Sequence, residues 1–239
     1  MNKLKNIITY ILSFSLILSV LLLTVHFCAF DLSFYKKEHR SLKLYNQSLA
    51  EYIGFSNNDL DELTEFTLNY LNDPESTLDK QMIIKGELKE VFNYDEKSHM
   101  VDVRTLNLNS LKFANILLII VFVCAIILII LKENIYNVFR IYKKTLFFYL
   151  IIFAFIGSWI LIDFDSFWTT FHKIFFSGND LWLLDLTKDV LIMIVPPEFF
   201  NHLVTKIVIT YVIVIIAICF ILYLLSRRKM KKNDSRCIV

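Results

Sequence analysis

Four long apolar runs divide the chain into segments, and each run is long enough to cross a lipid bilayer. They cover residues 7–30, 113–131, 145–162 and 207–225. Because a membrane-spanning helix needs about 20 predominantly apolar residues, this pattern predicts four transmembrane helices. The first helix, with the few residues before it, takes residues 1–30. That run lacks the small residues of a signal-peptide cleavage site, so we predict that it is a retained anchor.

Charge alternates between the segments that join these runs. The connection at residues 132–144 holds four basic residues and one acidic residue, and the tail at residues 226–239 is also basic. Residues 163–206 instead hold six carboxylates and three lysines. Since basic residues near a span concentrate on the cytoplasmic side, we predict that both termini and the 132–144 loop are cytoplasmic. Residues 31–112 and 163–206 are then extracytoplasmic.

The composition excludes an ordinary soluble domain. Hydrophobic residues make up 56% of the 239-residue chain, and only 4 Gly and 3 Pro interrupt it. This balance is typical of an integral membrane protein. The predicted fold is therefore an α-helical membrane protein with four transmembrane helices and a small extracytoplasmic cap. The cap, formed mainly by residues 31–112, is predicted to be mostly helical with a candidate strand.

The cap segment has three recognisable parts. A helix is predicted to begin at Asn57 or Asn58, which are suitable capping residues, and to stop before Pro74. Three apolar residues at 82–84, followed by Gly86, indicate a short strand. The segment ends in the sequence SHMVDVR at residues 98–104, where Ser98 is predicted to cap the helix that leads into the second span.

His99 and Asp102 in this last sequence are candidates for chemistry. Residues three apart on a helix share a face, so we expect Asp102 to hold a ring nitrogen of His99 and fix its tautomer. An orienting carboxylate has this role beside a general base. A surface ion pair next to the membrane is the alternative interpretation.

A second histidine, His172, lies in the aromatic stretch from Phe167 to Phe200. This stretch combines acidic residues with phenylalanine pairs and two tryptophans, and it is predicted to lie flat as a loop at the membrane face. Polar groups in such surroundings are costly unless they have partners or a function, which makes His172 a candidate catalytic residue. A purely structural aromatic belt is the alternative.

Several other chemistries lack the residues that they need. The sequence contains no His-Glu-x-x-His motif, no cluster of Cys and His at metal-ligand spacing and no glycine-rich phosphate loop. The four cysteines are scattered between a span boundary, two spans and the tail, so they predict no disulfide framework. We expect neither a metal nor another cofactor, and no nucleic-acid partner.

In combination, the motifs resemble the bacterial lipoprotein intramolecular transacylase family, Lit. The resemblance rests on four spans, on a first outer segment that ends in HMxDV (residues 99–103), and on a second of the form FHxxFF…NDxWxLD…DxLIxxxPxxFF. The matching positions in the second segment are Phe171, His172, Phe175, Phe176, Asn179, Asp180, Trp182, Leu184, Asp185, Asp189, Leu191, Ile192, Pro196 or Pro197, Phe199 and Phe200. One departure is Leu186, where the family pattern has proline; it concerns the local turn and changes no catalytic group.

This resemblance implies an enzyme that moves the sn-2 acyl chain of a diacylglyceryl-modified lipoprotein to the α-amine of that lipoprotein's N-terminal cysteine, giving the lyso form. It implies catalytic histidines at His99 and His172. The expected supporting residues are Asp102, Arg104, Asp180, Trp182 and Asp185, and the expected substrate pocket is lined by Phe171, Phe175 and Phe176. The implied location is the bacterial cell membrane, with the site at the extracytoplasmic face, in contact with the lipoprotein and with membrane lipid. The oligomeric state is not predicted.

Two other functions fit parts of the sequence. A non-enzymatic membrane protein whose cap binds a lipid or a partner protein has the same topology, but it tolerates loss of either histidine. A transporter needs polar or broken helices near the membrane midplane. The spans of this chain contain few of the Gly and Pro residues that break helices.

Overall fold

The computed structural model describes residues 2–41, 54–185 and 187–234. Along the chain its elements are α1 (Asn2–Ala29), α2 (Leu32–Ser41), α3 (Asn57–Asn72), β1 (Gln81–Ile84), β2 (Glu87–Glu90), α4 (Tyr94–Ile130), α5 (Ile135–Ile162), α6 (Phe164–Phe175), α7 (Val190–Ile194) and α8 (Pro197–Asp234). They fall into two compact units. The spanning unit comprises Met1–Val25, Leu111–Asp163 and Ile207–Val239, and the cap unit comprises His26–Ser110 and Phe164–Lys206.

The helices α1, α4, α5 and α8 each contain a stretch that is long and apolar enough to cross a membrane. Among the described helices these are the four that meet that condition, which confirms the predicted class of four-helix membrane protein. At 1.5 Å per residue, α4 is about 55 Å long, whereas the hydrocarbon core of a bilayer is about 30 Å thick. Only the apolar part of α4, residues 113–130, is therefore assigned to the span, and its charged first turns belong to the cap unit.

The spanning unit has a small buried core in which tyrosines meet aliphatic side chains. Its fully or largely buried members are Ile17, Tyr142, Tyr149, Tyr211 and Ile215. Large apolar side chains elsewhere on the same helices are exposed, among them Phe122, Ile129 and Phe155. Exposed apolar surface of this extent is expected where a helix faces lipid rather than water.

Two of the predicted cytoplasmic segments are helical, which corrects their assignment as loop and tail. The predicted loop at residues 132–144 shrinks to the connection between α4 and α5, because Asn134 caps α5 by accepting a hydrogen bond from the Tyr136 N–H at 3.0 Å. The predicted tail at residues 226–239 is helical as far as Asp234. Lysine and arginine are good helix formers, so basic residues after an apolar run do not end the helix.

The cap unit has its own apolar core, in which side chains from α3, the β1–β2 hairpin, the start of α4 and α7 pack together. The hairpin pairs Ile84 with Glu87 across a two-residue turn of Lys85 and Gly86, both with positive φ. Positive φ at both turn positions is the geometry that favours a tight hairpin and suits glycine. The predicted strand at residues 82–84 is thus present and has a partner.

The predicted capping residues in the cap unit are wrong by one to five positions. The cap of α3 is Ser56, whose Oγ accepts from the Asp59 N–H while Asp59 Oδ2 accepts from the Ser56 N–H, in place of the expected Asn57 or Asn58. The helix α4 begins at Tyr94, so Ser98 lies inside it. Its start is stabilised by a reciprocal pair, in which Asn93 Oδ1 accepts from the Glu96 N–H and Glu96 Oε2 accepts from the Asn93 N–H.

The aromatic stretch from Phe167 to Phe200 is largely helical, which corrects its prediction as a loop over residues 163–206. It contains most of α6, the short helix α7 and the start of α8. Pro197 is the first residue of α8. A helix makes no use of the backbone N–H at this position, so proline fits there. Leu186, which replaces the proline of the family pattern, lies outside the described residues.

Candidate active site

The cap unit brings the two candidate histidines together. His99 lies in the second turn of α4 and His172 near the end of α6, and their ring centroids are 6.1 Å apart with an interplanar angle of 33°. Both side chains are buried, at 7% and 6% exposure. Two buried histidines this close together are rarely both protonated. The geometry therefore favours neutral rings, each of which can accept or donate a proton.

Aromatic rings surround the pair on several sides. Phe176 lies edge-on to His99 with the centroids 5.1 Å apart, and it also contacts His172 at 5.5 Å. Trp168 and Trp182 flank His172 at 4.6 and 5.0 Å. Phe171 contacts His172 at 5.5 Å and stacks on Trp168. Such walls exclude water and strengthen electrostatic interactions inside the site.

The three phenylalanines predicted to line a substrate pocket have different positions. Phe176 is buried against both histidines, and Phe171 is half-buried beside His172. Phe175 is exposed and reaches the site only through Phe171, at a centroid distance of 4.8 Å. Two of the three therefore contact a candidate catalytic ring directly.

The tautomer of His172 follows from one hydrogen bond. Its Nδ1 lies 2.8 Å from the backbone carbonyl oxygen of Trp168, and a carbonyl oxygen only accepts. Nδ1 therefore donates, and in the neutral ring Nε2 has the free lone pair. Burial lowers the pKa of His172 below 6.5, although the Trp168 carbonyl acts in the opposite direction. At neutral pH His172 is thus a neutral ring with Nε2 available as a base.

His99 is held even more firmly in the neutral state. Burial, and then the neighbouring His172, lower its pKa to about 4, while the charge of Asp102 partly opposes this. Its Nδ1 is buried and has no hydrogen-bond partner among the described residues. An unpaired buried ring nitrogen costs free energy, and a catalytic role is one of the reasons for which proteins retain such a group.

Asp102 does not hold His99 as the sequence predicted. Instead, Asp102 Oδ2 accepts a hydrogen bond from the Asn179 side-chain amide at 3.1 Å, in the segment that follows α6. The predicted pairing considered only neighbours on one helix, whereas Asn179 approaches from another part of the chain and provides a donor. The effect of Asp102 on His99 is through its charge rather than through a hydrogen bond.

The other predicted supporting residues lie at different distances from the pair. Trp182 contacts His172, as described above. Arg104 faces the end of α3, where it donates to the carbonyls of Asp73 and Ser76 at 3.2 and 2.7 Å and stacks over Tyr70.

The two remaining acids, Asp180 and Asp185, are exposed. Asp185 Oδ1 accepts from the backbone N–H and the hydroxyl of Thr187, so it shapes a turn. Neither acid has a hydrogen bond or ring contact to either histidine within the described ranges, so the structure does not bring them into the site.

Sequence reasoning missed a second polar cluster next to the pair. Glu96, one turn before His99, is buried together with Asp189, and both are joined to Asn93 by hydrogen bonds. A signal for this cluster was present, because an acid three residues after Asn93 is a capping-box pattern that marks the start of a helix. In the described part of the chain no group of three or more His, Cys, Asp or Glu side chains is arranged to hold a metal ion.

Four helices able to span a membrane and two facing histidines in an aromatic site define a membrane-integral protein with a candidate site for acid–base chemistry. Comparison with known families is specific. The chain belongs to the family of the lipoprotein intramolecular transacylase Lit, whose sequence model matches residues 10–200, and it is therefore a membrane acyltransferase. No curated protein sequence matches the chain.

The solved structures that resemble this fold include an in meso structure of the membrane-integral lipoprotein intramolecular transacylase Lit from Bacillus cereus. It has a TM-score of 0.76 and 20% sequence identity, over 97% of this chain and 100% of that chain. Two structures of the same Bacillus cereus protein, with one histidine replaced by arginine or by alanine, match with TM-scores of 0.70 at 20% identity. They cover 98% of this chain and 96% and 97% of those chains. At this identity the likeness concerns the fold.

Proposed function

We propose that this chain transfers the sn-2 acyl group of a diacylglyceryl-modified lipoprotein to the free α-amine of that lipoprotein's N-terminal cysteine, with His99 and His172 as the catalytic residues. The observation that supports this most is the apposition of two buried neutral rings whose centroids are 6.1 Å apart. The product is the N-acyl, S-monoacylglyceryl lyso form. A lipoprotein is thus the partner of the site, and membrane lipid surrounds it.

The reaction needs a proton to leave the amine and another to reach the departing glyceryl oxygen. An α-amine has a pKa of about 8, so a base near neutrality is suited to it. His172 is assigned as that base, because its Nδ1 donates to the Trp168 carbonyl and its Nε2 has no hydrogen bond to any described residue. His99, neutral at the same pH, has one ring N–H and is assigned as the donor to the glyceryl oxygen.

The proton balance closes within the pair. As the amine nitrogen bonds to the acyl carbon, its proton passes to His172 Nε2. As the bond between the acyl carbon and the glyceryl oxygen breaks, that oxygen takes the ring N–H proton of His99 while the other ring nitrogen of His99 takes the extra proton from His172. Both rings are then neutral again, and neither becomes an anion. No covalent enzyme intermediate is required.

Aromatic walls have a separate role in this proposal. The attacking amine and the ester belong to one flexible molecule, and their reaction passes through a medium ring whose closure is entropically unfavourable. Holding the folded substrate between rings such as Phe171, Phe176 and Trp182 places the reacting atoms together. Orientation of this kind contributes roughly 7–11 kcal/mol in favourable cases.

We also propose that the site faces the extracytoplasmic side and that both termini are cytoplasmic. The support is the charge of the segments: residues 132–144 and 226–239 are basic, and residues 163–206 are acidic. This orientation places the site on the side of the bacterial cell membrane where mature lipoproteins are exposed.

The test is the mass of the N-terminal lipopeptide of a lipoprotein, made in a host that lacks its own N-acylating enzyme. The variants are His99→Ala, His172→Ala and the double variant, with His202→Ala as a control. His202 is half-exposed and paired with Glu38, and among the described residues it has no hydrogen bond or ring contact to either candidate histidine. General acid–base catalysis contributes typically 10²–10⁴-fold, so each single variant should reduce lyso product by about that factor.

The double variant separates a shared proton path from two structural roles. The effects of replacing residues that act as a unit are not additive. The double variant should therefore be scarcely slower than either single variant, with all variants folded. Thermal unfolding of each purified protein checks that condition. Substantial lyso product from either single variant excludes the two-histidine mechanism and favours the lipid-binding or partner-binding alternative.

A further inference from the structure

A buried acidic cluster lies at the start of α4, one turn before His99. Glu96 and Asp189 are 1% and 3% exposed. Each of their four carboxylate oxygens accepts a hydrogen bond. Glu96 accepts from the backbone N–H of Asn93 and of Leu191 at 2.7 and 2.6 Å, and Asp189 accepts from the Asn93 side-chain amide and the Asp185 N–H at 2.7 and 2.6 Å.

A helix cap alone does not explain this cluster. The start of α3 has a capping pair with the same local geometry, in which the Ser56 N–H donates to Asp59 Oδ2 at 2.7 Å, and that pair is exposed and ends there. Glu96 uses its second oxygen to bind Leu191, far along the chain. Burial raises the pKa of Glu96 against the lowering effect of its N–H donors. Burying an acid without a compensating cation is unfavourable, so the second contact needs a reason.

That reason is found in the segment that the cluster binds. We call residues 176–185 and 187–191 the Trp182 segment. It contacts α4 at successive positions three residues apart: at Asn93 and Glu96 through Asp189 and Leu191, at His99 through Phe176, and at Asp102 through Asn179. Positions spaced by three form an oblique ridge on a helix, which a crossing segment can follow. In the middle of the segment, Trp182 covers His172.

We propose that Glu96, together with Asn93 and Asp189, is a positioning group for the histidine pair. It holds the Trp182 segment on α4, so that Trp182 stays against His172 and keeps water away from it. This inference deepens the proposed acyl transfer and rests on it for its effect on rate. None of the three side chains is assigned a contact with the substrate.

The informative variant is Asn93→Asp. Aspartate is as good a helix cap as asparagine, so the start of α4 is preserved. The side-chain donor to Asp189 is replaced by an acceptor, which breaks the link to the Trp182 segment and places like charges face to face. The matched control is Asp59→Asn, which weakens the capping pair of α3 and leaves α4 unchanged.

The first measurement needs no substrate. A protonated histidine ring quenches the fluorescence of a tryptophan in contact with it, and both Trp168 and Trp182 contact His172. The pH midpoint of this quenching therefore reports the protonation of His172. Among the described residues, Asp102 on α4 is the further titratable group that acts on the pair, through its charge on His99, and Asp102 and both histidines are unchanged in every variant.

With the Trp182 segment released, water reaches His172, and the midpoint should move upward toward 6.5 in Asn93→Asp but not in Asp59→Asn. The rate of lyso-product formation at saturating substrate should fall about 10- to 100-fold, since a displacement of about 1 Å can cost 10²-fold. The acid limb of the pH–rate profile should move with the fluorescence midpoint. If the cluster only caps α4, Asn93→Asp should lower the thermal stability and leave the fluorescence midpoint unchanged.

Glu96→Gln is the second variant, should Asn93→Asp fail to fold. Glutamine keeps one acceptor oxygen and the size of the side chain, but its amide faces an N–H donor. An unchanged midpoint and rate in a folded Asn93→Asp or Glu96→Gln protein overturns the inference and leaves the proposed function intact. If the wild-type protein makes no lyso product, the proposed function fails, and the fluorescence midpoint still decides whether the cluster positions the Trp182 segment.

Discussion

The burial of His99 predicts that the protein loses stability in mild acid, and that a single substitution removes much of this loss. His99 has a folded pKa of about 4, against 6.5 for an exposed histidine, chiefly because of burial. Between these two values the unfolded chain binds the proton and the folded chain does not. The contribution of His99 to the free energy of unfolding is therefore fully present above pH 6.5 and is lost as the pH falls toward 4.

The size of the effect follows from the two pKa values. At about 1.4 kcal/mol per pH unit, the full loss below pH 4 is roughly 3 kcal/mol, and at pH 5 it is roughly 2 kcal/mol. For a chain of this length, 1 kcal/mol shifts the melting temperature by about 2–4 °C. The contribution of His99 to the fall in Tm between pH 7.5 and pH 5 is then about 4–8 °C.

The assay is thermal unfolding of the detergent-purified protein at both pH values, for the wild type, His99→Gln and Met100→Leu. Glutamine keeps a polar side chain of similar length but does not titrate, so its Tm should fall less on acidification. Met100 is the buried neighbour of His99, and leucine changes its packing without changing any titratable group. Equal acid-induced shifts in the wild type and His99→Gln would refute the burial argument, whatever their absolute stabilities.

Four further predictions follow from the same structure. A cysteine placed at Asn69 should react with an impermeant reagent on whole cells, because the cap is proposed to be outside; reaction only after lysis contradicts the topology. Asp102→Asn should slow lyso-product formation by less than either histidine variant, since Asp102 acts on His99 through charge; wild-type activity would show that this charge has no role. Arg104→Met should lower Tm by the equivalent of roughly 1–3 kcal/mol while leaving the rate per folded molecule unchanged, because its charged hydrogen bonds reach the carbonyls of Asp73 and Ser76, after α3, and not the histidine pair; a large rate loss at full stability assigns it to the site instead. Gly86→Ala should cost about 1 kcal/mol in thermal unfolding, because φ is +82° there and alanine resists it; an unchanged Tm shows that the hairpin turn relaxes.

The sequence determined the spanning helices because their cause is local. A run of about 20 apolar residues is stable in hydrocarbon only as a helix, since every backbone N–H and C=O must find its partner within the segment. The hairpin was also foreseeable, because Gly86 allows the positive φ of a tight turn. Both histidines could be selected as candidates from their positions next to spans.

Helix boundaries were harder to predict, because several residues near each start can cap it. Ser56, Asn57 and Asn58 are all suitable, and the reciprocal bond with Asp59 selects Ser56. At α4 the reciprocal bond between Asn93 and Glu96 starts the helix before Ser98. In both cases the selecting residue is the acid three positions later, which binds the backbone N–H of the cap.

Only the tertiary structure decided which polar groups meet. The approach of His172 to His99, the pairing of Asp102 with Asn179 and the bond from Leu191 to Glu96 each join segments far apart in the chain. Helical spacing ranks the neighbours within α4, but it says nothing about a partner that arrives from another segment. Burial then sets the protonation of both histidines. The sequence by itself supplied the two candidate histidines, and packing in the cap unit set the distance between them, the tautomer of His172 and the charge of both rings.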